Sequence, residues 1–185
     1  MNSKNKVFKY NHQSEVTLAE LMVPSNANFS GKIHGGYILS LMDKVAYASA
    51  CKHSERYCVT ANIGGVDFLN PVEVGELLTL RAKVNYVGTS SMVVGIRVES
   101  QNIVTGVSKH CNSSFFTMVA VGEDGEKVKV PGLILDSEED IRRFARSKTR
   151  IEQKQSRKKE YDDNSFSIED HLAELQDQNV IIELL

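Results

Sequence analysis

The stretch Asn28-Phe29-Ser30-Gly31-Lys32-Ile33-His34-Gly35-Gly36-Tyr37-Ile38-Leu39-Ser40-Leu41-Met42-Asp43 changes character halfway along. Up to Gly36 it is loop chemistry, dense in small residues that bond their own backbone. Beyond it, Ile38, Leu41, Met42, Val45, Ala46 and Ser49 fall at the i, i+3, i+4, i+7, i+8 spacing of one helical face. The spacing predicts a helix that runs to about His53. It contains no proline, and its second half is built from the small residues Ala46, Ala48, Ser49 and Ala50. Other backbone can approach such a helix closely, so it reads as one meant to be enclosed.

What encloses it follows in the chain. From Tyr57 to Val121 the pattern is that of strands. Leu78, Leu80, Ala82, Val84 and Tyr86 alternate with Thr79, Arg81, Lys83 and Asn85, a period of two. Gly88-Thr89-Ser90-Ser91 turns the chain, Met92, Val94, Ile96 and Val98 alternate again, and Val107 to Val121 is long enough for one long strand. Before the helix, Val16, Leu18 and Leu21-Met22-Val23 give a first strand that ends at Pro24. Residues 1 to about 12 read as a polar, loosely held lead-in. One long helix after a first strand, then consecutive antiparallel strands, is an α+β order, an antiparallel sheet wrapped around one central helix.

The end of the chain differs. Pro131-Gly132 breaks the pattern, and residues 136–185 form a strongly charged extension that reads as helical. Ser137-Glu138-Glu139-Asp140 looks like a capped helix start, with acids in the first turn. Ile141, Phe144, Ala145 and Ile151 are nearly all its apolar stripe, which predicts a peripheral helix that docks weakly. Phe166 to Leu185 is a short patterned end.

At 185 residues and a net charge of -2, the chain has room for one domain with a full core and lacks the charge bias of a general nucleic-acid or membrane-surface binder. Cys51, Cys58 and Cys111 form no CxxC pair, and His34 has no second ligand at metal spacing, so neither a disulfide framework nor a metal site is expected. The polar opening Met1-Asn2-Ser3-Lys4-Asn5-Lys6 has no apolar core of a signal sequence, and no apolar run approaches spanning length, which predicts a cytoplasmic location.

Chemistry concentrates around the loop-to-helix junction. Gly35-Gly36 at a helix start leaves backbone N–H groups uncovered, where a helix end favours negative charge. Asp43 lies off the apolar stripe, so it faces water, a partner or a substrate. It is either half of a solvated pair with Lys44 or a working acid, and Asn28 is either a turn residue or a working amide. No GxSxG elbow is present.

Asn28 to Asp43, then Val66-Asp67-Phe68-Leu69-Asn70-Pro71-Val72-Glu73-Val74-Gly75-Glu76, then Val87-Gly88-Thr89-Ser90-Ser91-Met92, together resemble the hotdog-fold acyl-CoA thioesterases, closest to the cytosolic acyl-CoA hydrolase group. The likeness covers about residues 13 to 135. It implies acyl-CoA hydrolysis with no cofactor beyond the CoA of the substrate. It implies subunits that pair edge to edge into dimers, and dimers that assemble as trimers of dimers. Asn28 and Asp43 match the catalytic pair, with Asp43 as general base or nucleophile and Gly36, with Gly35, polarising the thioester carbonyl. Ser90, Ser91 and Lys109 would meet CoA, and His34, Asp67 and Phe68 would line the acyl pocket. Two other functions share the pattern: a hydratase or dehydratase using His34, and a non-catalytic acyl-CoA or lipid sensor. Neither has a use for Asn28 and Asp43 together.

Overall fold

The computed structural model describes residues 7–160 and Val180. Its centre is helix α1, Gly35–Ser54. The buried side chains of α1 are Ile38, Leu41, Met42, Val45, Ala46, Ser49, Ala50, His53 and Ser54, one continuous stripe four turns long. Against it lies a five-stranded antiparallel sheet of β2 (Val16–Leu21), β3 (Tyr57–Ile63), β4 (Glu76–Val87), β5 (Ser91–Asn102) and β6 (Ser108–Val121). The strand order is β2-β4-β5-β6-β3, so the strand that leaves the helix crosses to the far edge before the meander begins. Leu78, Leu80, Val84, Met92, Val94, Val98, Phe116 and Met118 supply the sheet's share of the core. The sheet-around-helix architecture expected from the periodicities is the architecture present.

From Val7 on, the lead-in is more ordered than its polar composition suggests. Phe8–Tyr10 forms β1, which pairs in parallel with β7, Gly132–Ile134. A 3₁₀ turn at Asn11–Ser14 then buries both its end residues. The Ser14 hydroxyl accepts from the Val84 N–H of the sheet, and its carbonyl accepts from Ser49 Oγ of the helix. Composition misses this because the contacts are made by single polar atoms to distant backbone. His53 Nε2 meets the Pro131 carbonyl at 3.1 Å and ties the end of α1 to β7.

Helix α2 runs from Glu138 to Glu160, and the chain divides into two units, 1–147 and 148–185. Within the first unit the helix start docks firmly, which corrects the expectation of weak docking. Ser137 and Asp140 form the foreseen reciprocal cap, Asp140 N–H donating to Ser137 Oγ and Ser137 Oγ–H to Asp140 Oδ2. Asp140 also pairs with Lys83 of β4 at 2.8 Å and is 5 % exposed. Phe144 packs on Tyr86 with ring centroids 4.9 Å apart. In the second unit, Lys148 and Glu152 form an i,i+4 pair. The patterned end from Phe166 lies outside the described residues apart from Val180.

Burial alone would raise the Asp140 carboxyl, but hydrogen bonds from Lys83, Ser137 and Asn11, with the Lys83 charge, outweigh it and hold the group at about 2. A carboxyl held below its unfolded value of 3.8 stabilises the fold above that value, and the contribution fades as pH falls towards 2. Asp140→Asn should therefore cost about 2 kcal/mol at neutral pH, the scale of hydrogen bonds to a charged group. The Tm gap from the parent should close on acidification below pH 3.8. A chain ending at Asp136, which lacks the Asp140 and Phe144 contacts, should melt well below the parent.

Candidate active site

Asp43 sits in the third turn of α1, half-buried, and its Oδ1 accepts a 2.6 Å hydrogen bond from Thr60 Oγ1 of β3. Thr60 faces inward opposite the buried Met118, and the strand is irregular just beyond it. The β3–β6 register breaks between Thr60 and Asn62, so Ala61 has no cross-strand partner. Such a bulge bends a strand and re-aims its side chains. Thr60 Oγ1 is also 3.5 Å from Met118 Sδ, against the core. The hydroxyl has one proton, and the carboxylate is by far the better acceptor. Asp43 Oδ2 has no hydrogen-bond partner among the described residues. Asp43 lines a depression of about 330 Å³ together with Lys44, Tyr47, Tyr57, Cys58, Val59 and Thr60. Asp43 forms no ion pair with Lys44 among the described residues; its partner there is Thr60.

β3 is the edge of the sheet, and its other side has no strand partner among the described residues. Tyr57 is 62 % exposed, and Val59 and Ile63 are each 40 % exposed along it. The acid and its donor therefore lie beside an open apolar sheet edge.

Asn28 is engaged elsewhere. Its Oδ1 accepts from Ser30 N at 3.0 Å, Ser30 Oγ at 2.8 Å and Lys32 N at 3.1 Å, closing the loop that Gly31, at φ +79°, turns. No hydrogen bond joins Asn28 to Asp43 within the chain, and the amide Nδ2 protons have no acceptor among the described residues. The turn-residue reading is true of the oxygen, while the nitrogen remains presented on an exposed loop.

The helix start differs in detail from what the glycine pair suggests. Gly36 N–H is not open: it donates to His34 Nδ1 at 2.9 Å, so His34 is the N-cap of α1. A Cβ at Gly36 would stand 2.9 Å from that ring. Tyr37 and Ile38 N–H both donate to the His34 carbonyl, which leaves Gly35 N–H without an acceptor among the described residues. Phe68 lies against the same point, its ring 3.2 Å from where a Gly35 Cβ would be. His34, Gly35 and Phe68 thus meet at one place. Asp67 is near in sequence, but its carbonyl is tied to Asn112 Nδ2 at 2.9 Å and its residue is exposed.

Ser90, Ser91 and Lys109 do not come together within one chain. Ser91 pairs across from Val119, and Val119 from Val59, which sets Ser91 two strand spacings, roughly 10 Å, from the strand that carries Thr60. Lys109 pairs with Ser100, at the opposite end of the same hairpin, roughly 30 Å away at about 3.3 Å per residue. Its ammonium is held 2.9 Å from Glu76 Oε1. Burial pushes the Glu76 carboxyl up, but the Glu73 N–H and Lys109 more than compensate, and the net shift is downward.

Thr60 is the site residue that sequence reading missed. Its strand was foreseen, but a threonine in a strand is ordinary. Only the register across β6, which sets it opposite the buried Met118, brings it to Asp43.

With the geometry in place, comparison with known proteins is informative. Residues 30–107 match the thioesterase superfamily. The chain is 42 % identical over 132 residues to protein VdlD of Helicobacter pylori, covering 71 % of this chain and 75 % of that one. Solved structures share the fold. A hexameric acyl-CoA thioesterase in its apo form superposes with a TM-score of 0.79 at 35 % identity, covering 82 % of this chain and 97 % of that one. An acyl-CoA hydrolase from Staphylococcus aureus, in complex with butyryl coenzyme A and coenzyme A, superposes at 0.76 with 27 % identity, covering 83 % and 93 %. That enzyme has also been solved with single alanine substitutions of an Asn, an Asp and a Thr. The chain belongs to the thioesterase superfamily. It is a thioester hydrolase with the hotdog fold. No described helix is long and apolar enough to cross a membrane.

The Lys109–Glu76 pair has its own consequence. Lys109→Ala should leave a carboxylate only 9 % exposed without its cation, and so should lower Tm by an amount equivalent to about 1–3 kcal/mol. Lys109→Ala combined with Glu76→Gln should recover most of the loss in thermal denaturation.

Proposed function

We propose that the chain hydrolyses acyl-CoA thioesters to free acid and CoA, at sites completed between two paired subunits. The observation that carries this is the Asp43 carboxylate: fixed through Oδ1 by Thr60, open through Oδ2, and placed beside an unpaired strand edge. The solved relatives named as acyl-CoA thioesterase and hydrolase supply the substrate class. The free edge of β3, with Tyr57, Val59 and Ile63 outward, is the surface through which two sheets join into a dimer. The hexameric relative supports further assembly of such dimers into a trimer.

In this reading Asp43 of one subunit takes a proton from water as the oxygen attacks the thioester carbonyl. Thr60 holds the carboxylate in one orientation, so that Oδ2 is the basic oxygen. The developing oxyanion needs hydrogen-bond donors. Gly35 N–H at the start of α1 is one, and the Asn28 amide of the other subunit is a second, because its carbonyl is already used and its NH₂ group is not. Gly36 N–H becomes a third if the His34 ring swings aside. Phe68 and His34 wall the approach to the carbonyl. Ser90 and Ser91, at the Asp43 end of the sheet, suit the CoA moiety better than Lys109, whose charge Glu76 engages. The reading is of a cytoplasmic enzyme that needs no added cofactor.

A hydratase would spare saturated substrates, and a sensor would turn nothing over. Saturated acyl-CoAs of several chain lengths should release free thiol from the purified protein, followed with a thiol reagent. Asp43→Ala should lower kcat by about two to four orders of magnitude. Thr60→Ala should lower it by roughly tenfold or more, as expected for one hydrogen bond to a charged group. Retention of full turnover in Asp43→Ala would remove Asp43 from the reaction.

A further inference from the structure

Two side-chain contacts join α1 to β3 along the open edge. One is the hydrogen bond from Thr60 to Asp43. The other is an edge-on contact between the rings of Tyr47 and Tyr57, with centroids 5.8 Å apart and planes at 66°. Tyr47 follows Asp43 by one helical turn, and residues so spaced share a face. Tyr57 precedes Thr60 on β3, so the two contacts lie one after the other along the groove between helix and strand. The depression of about 330 Å³ is lined by both pairs together with Lys44, Cys58 and Val59. Apart from Asp43 and Lys44, nothing that lines it is charged.

We propose that this depression receives the acyl chain of the substrate, and that the Tyr47–Tyr57 pair ends it and so limits the enzyme to short chains. The inference rests on the acyl-CoA reading above. In that reading the carbonyl lies between the Gly35 N–H and Asp43, so one arm of the thioester points back towards Phe68 and the other along α1 towards Tyr47. CoA does not suit the second arm. Its long pantetheine chain and phosphorylated nucleotide need far more room, and more cations, than the space between the two contacts offers. An alkyl chain needs neither.

The spacing of the contacts sets the length. Asp43 to Tyr47 is about 6 Å along the helix, at about 1.5 Å per residue. Thr60 to Tyr57 is about 10 Å along the strand, at about 3.3 Å per residue. An extended alkyl chain advances about 1.3 Å per carbon, the projection of a C–C bond of about 1.52 Å, so about five to eight carbons fit before the rings. Up to that length each methylene adds apolar burial. A longer chain has to part the rings or leave its end in water, and gains nothing further.

The test is kcat/KM of the full chain on saturated acyl-CoAs from acetyl to palmitoyl, followed by thiol release. The parent should improve from acetyl to about hexanoyl and fall at least tenfold by dodecanoyl. Tyr47→Ala, checked for parental size by size-exclusion chromatography, should raise the ratio of dodecanoyl to hexanoyl efficiency at least tenfold. Tyr47→Phe keeps the ring and should keep the cut-off. A parent that hydrolyses palmitoyl-CoA as efficiently as hexanoyl-CoA would overturn the inference, whether or not the variants fold. So would a folded Tyr47→Ala chain that keeps the parental profile or loses efficiency equally at every length. Each of these outcomes leaves acyl-CoA hydrolysis standing, whereas a parent that releases no thiol from any acyl-CoA removes that reading and this inference with it.

Discussion

The enclosure of α1 is the constraint on which the rest depends. A helix whose buried stripe runs from Ile38 to Ser54 cannot rotate or slide without exposing core side chains. Each residue off that stripe therefore has a fixed bearing. Asp43 is one of them, and its bearing is towards β3. The same constraint fixes Gly35 against Phe68 and Gly36 under the His34 ring. Packing on one side of the helix thus sets the chemistry available on the other.

The sheet completes the arrangement by its order. Because the strand after α1 crosses to the outer edge, the face of the helix that carries Asp43 lies beside an unpaired strand. An exposed apolar edge is a liability for a lone chain. Here it adjoins a carboxylate with one free oxygen and lies in the same chain as an Asn28 amide with unused donors. In the proposed reading each chain holds an incomplete half of a site, and pairing would satisfy the edge and complete the chemistry in one step.

What could be read from the sequence was periodic or local. The 3.6-residue stripe of α1, the twofold alternation of β4 and β5, and the Ser137–Asp140 cap each repeat or close within a few residues. What could not be read depends on pairing across long separations. β1 and β7 are three residues each and more than a hundred residues apart, with nothing in either to announce the other. The Thr60–Asp43 bond depends on how β3 pairs with β6, the Lys109–Glu76 pair on which residues the hairpin places at its far end, and the His34 cap on a rotamer. Asp43 and Asn28 were identified through resemblance; the geometry adds how each is held, with the Asn28 oxygen engaged and its nitrogen free.

The central claim, that one site draws Asp43 and Asn28 from different chains, is open to a direct measurement. Asp43→Ala and Asn28→Ala chains, each inactive alone, are co-refolded in equal amounts, subunit exchange is verified by mass, and thiol release is followed. With a shared site, half the dimers are mixed and each holds one intact site of two. About a quarter of the parental activity should then return, from counting sites under twofold symmetry. If both residues served the same chain, every site would keep a lesion, and exchange without recovered activity would contradict the account.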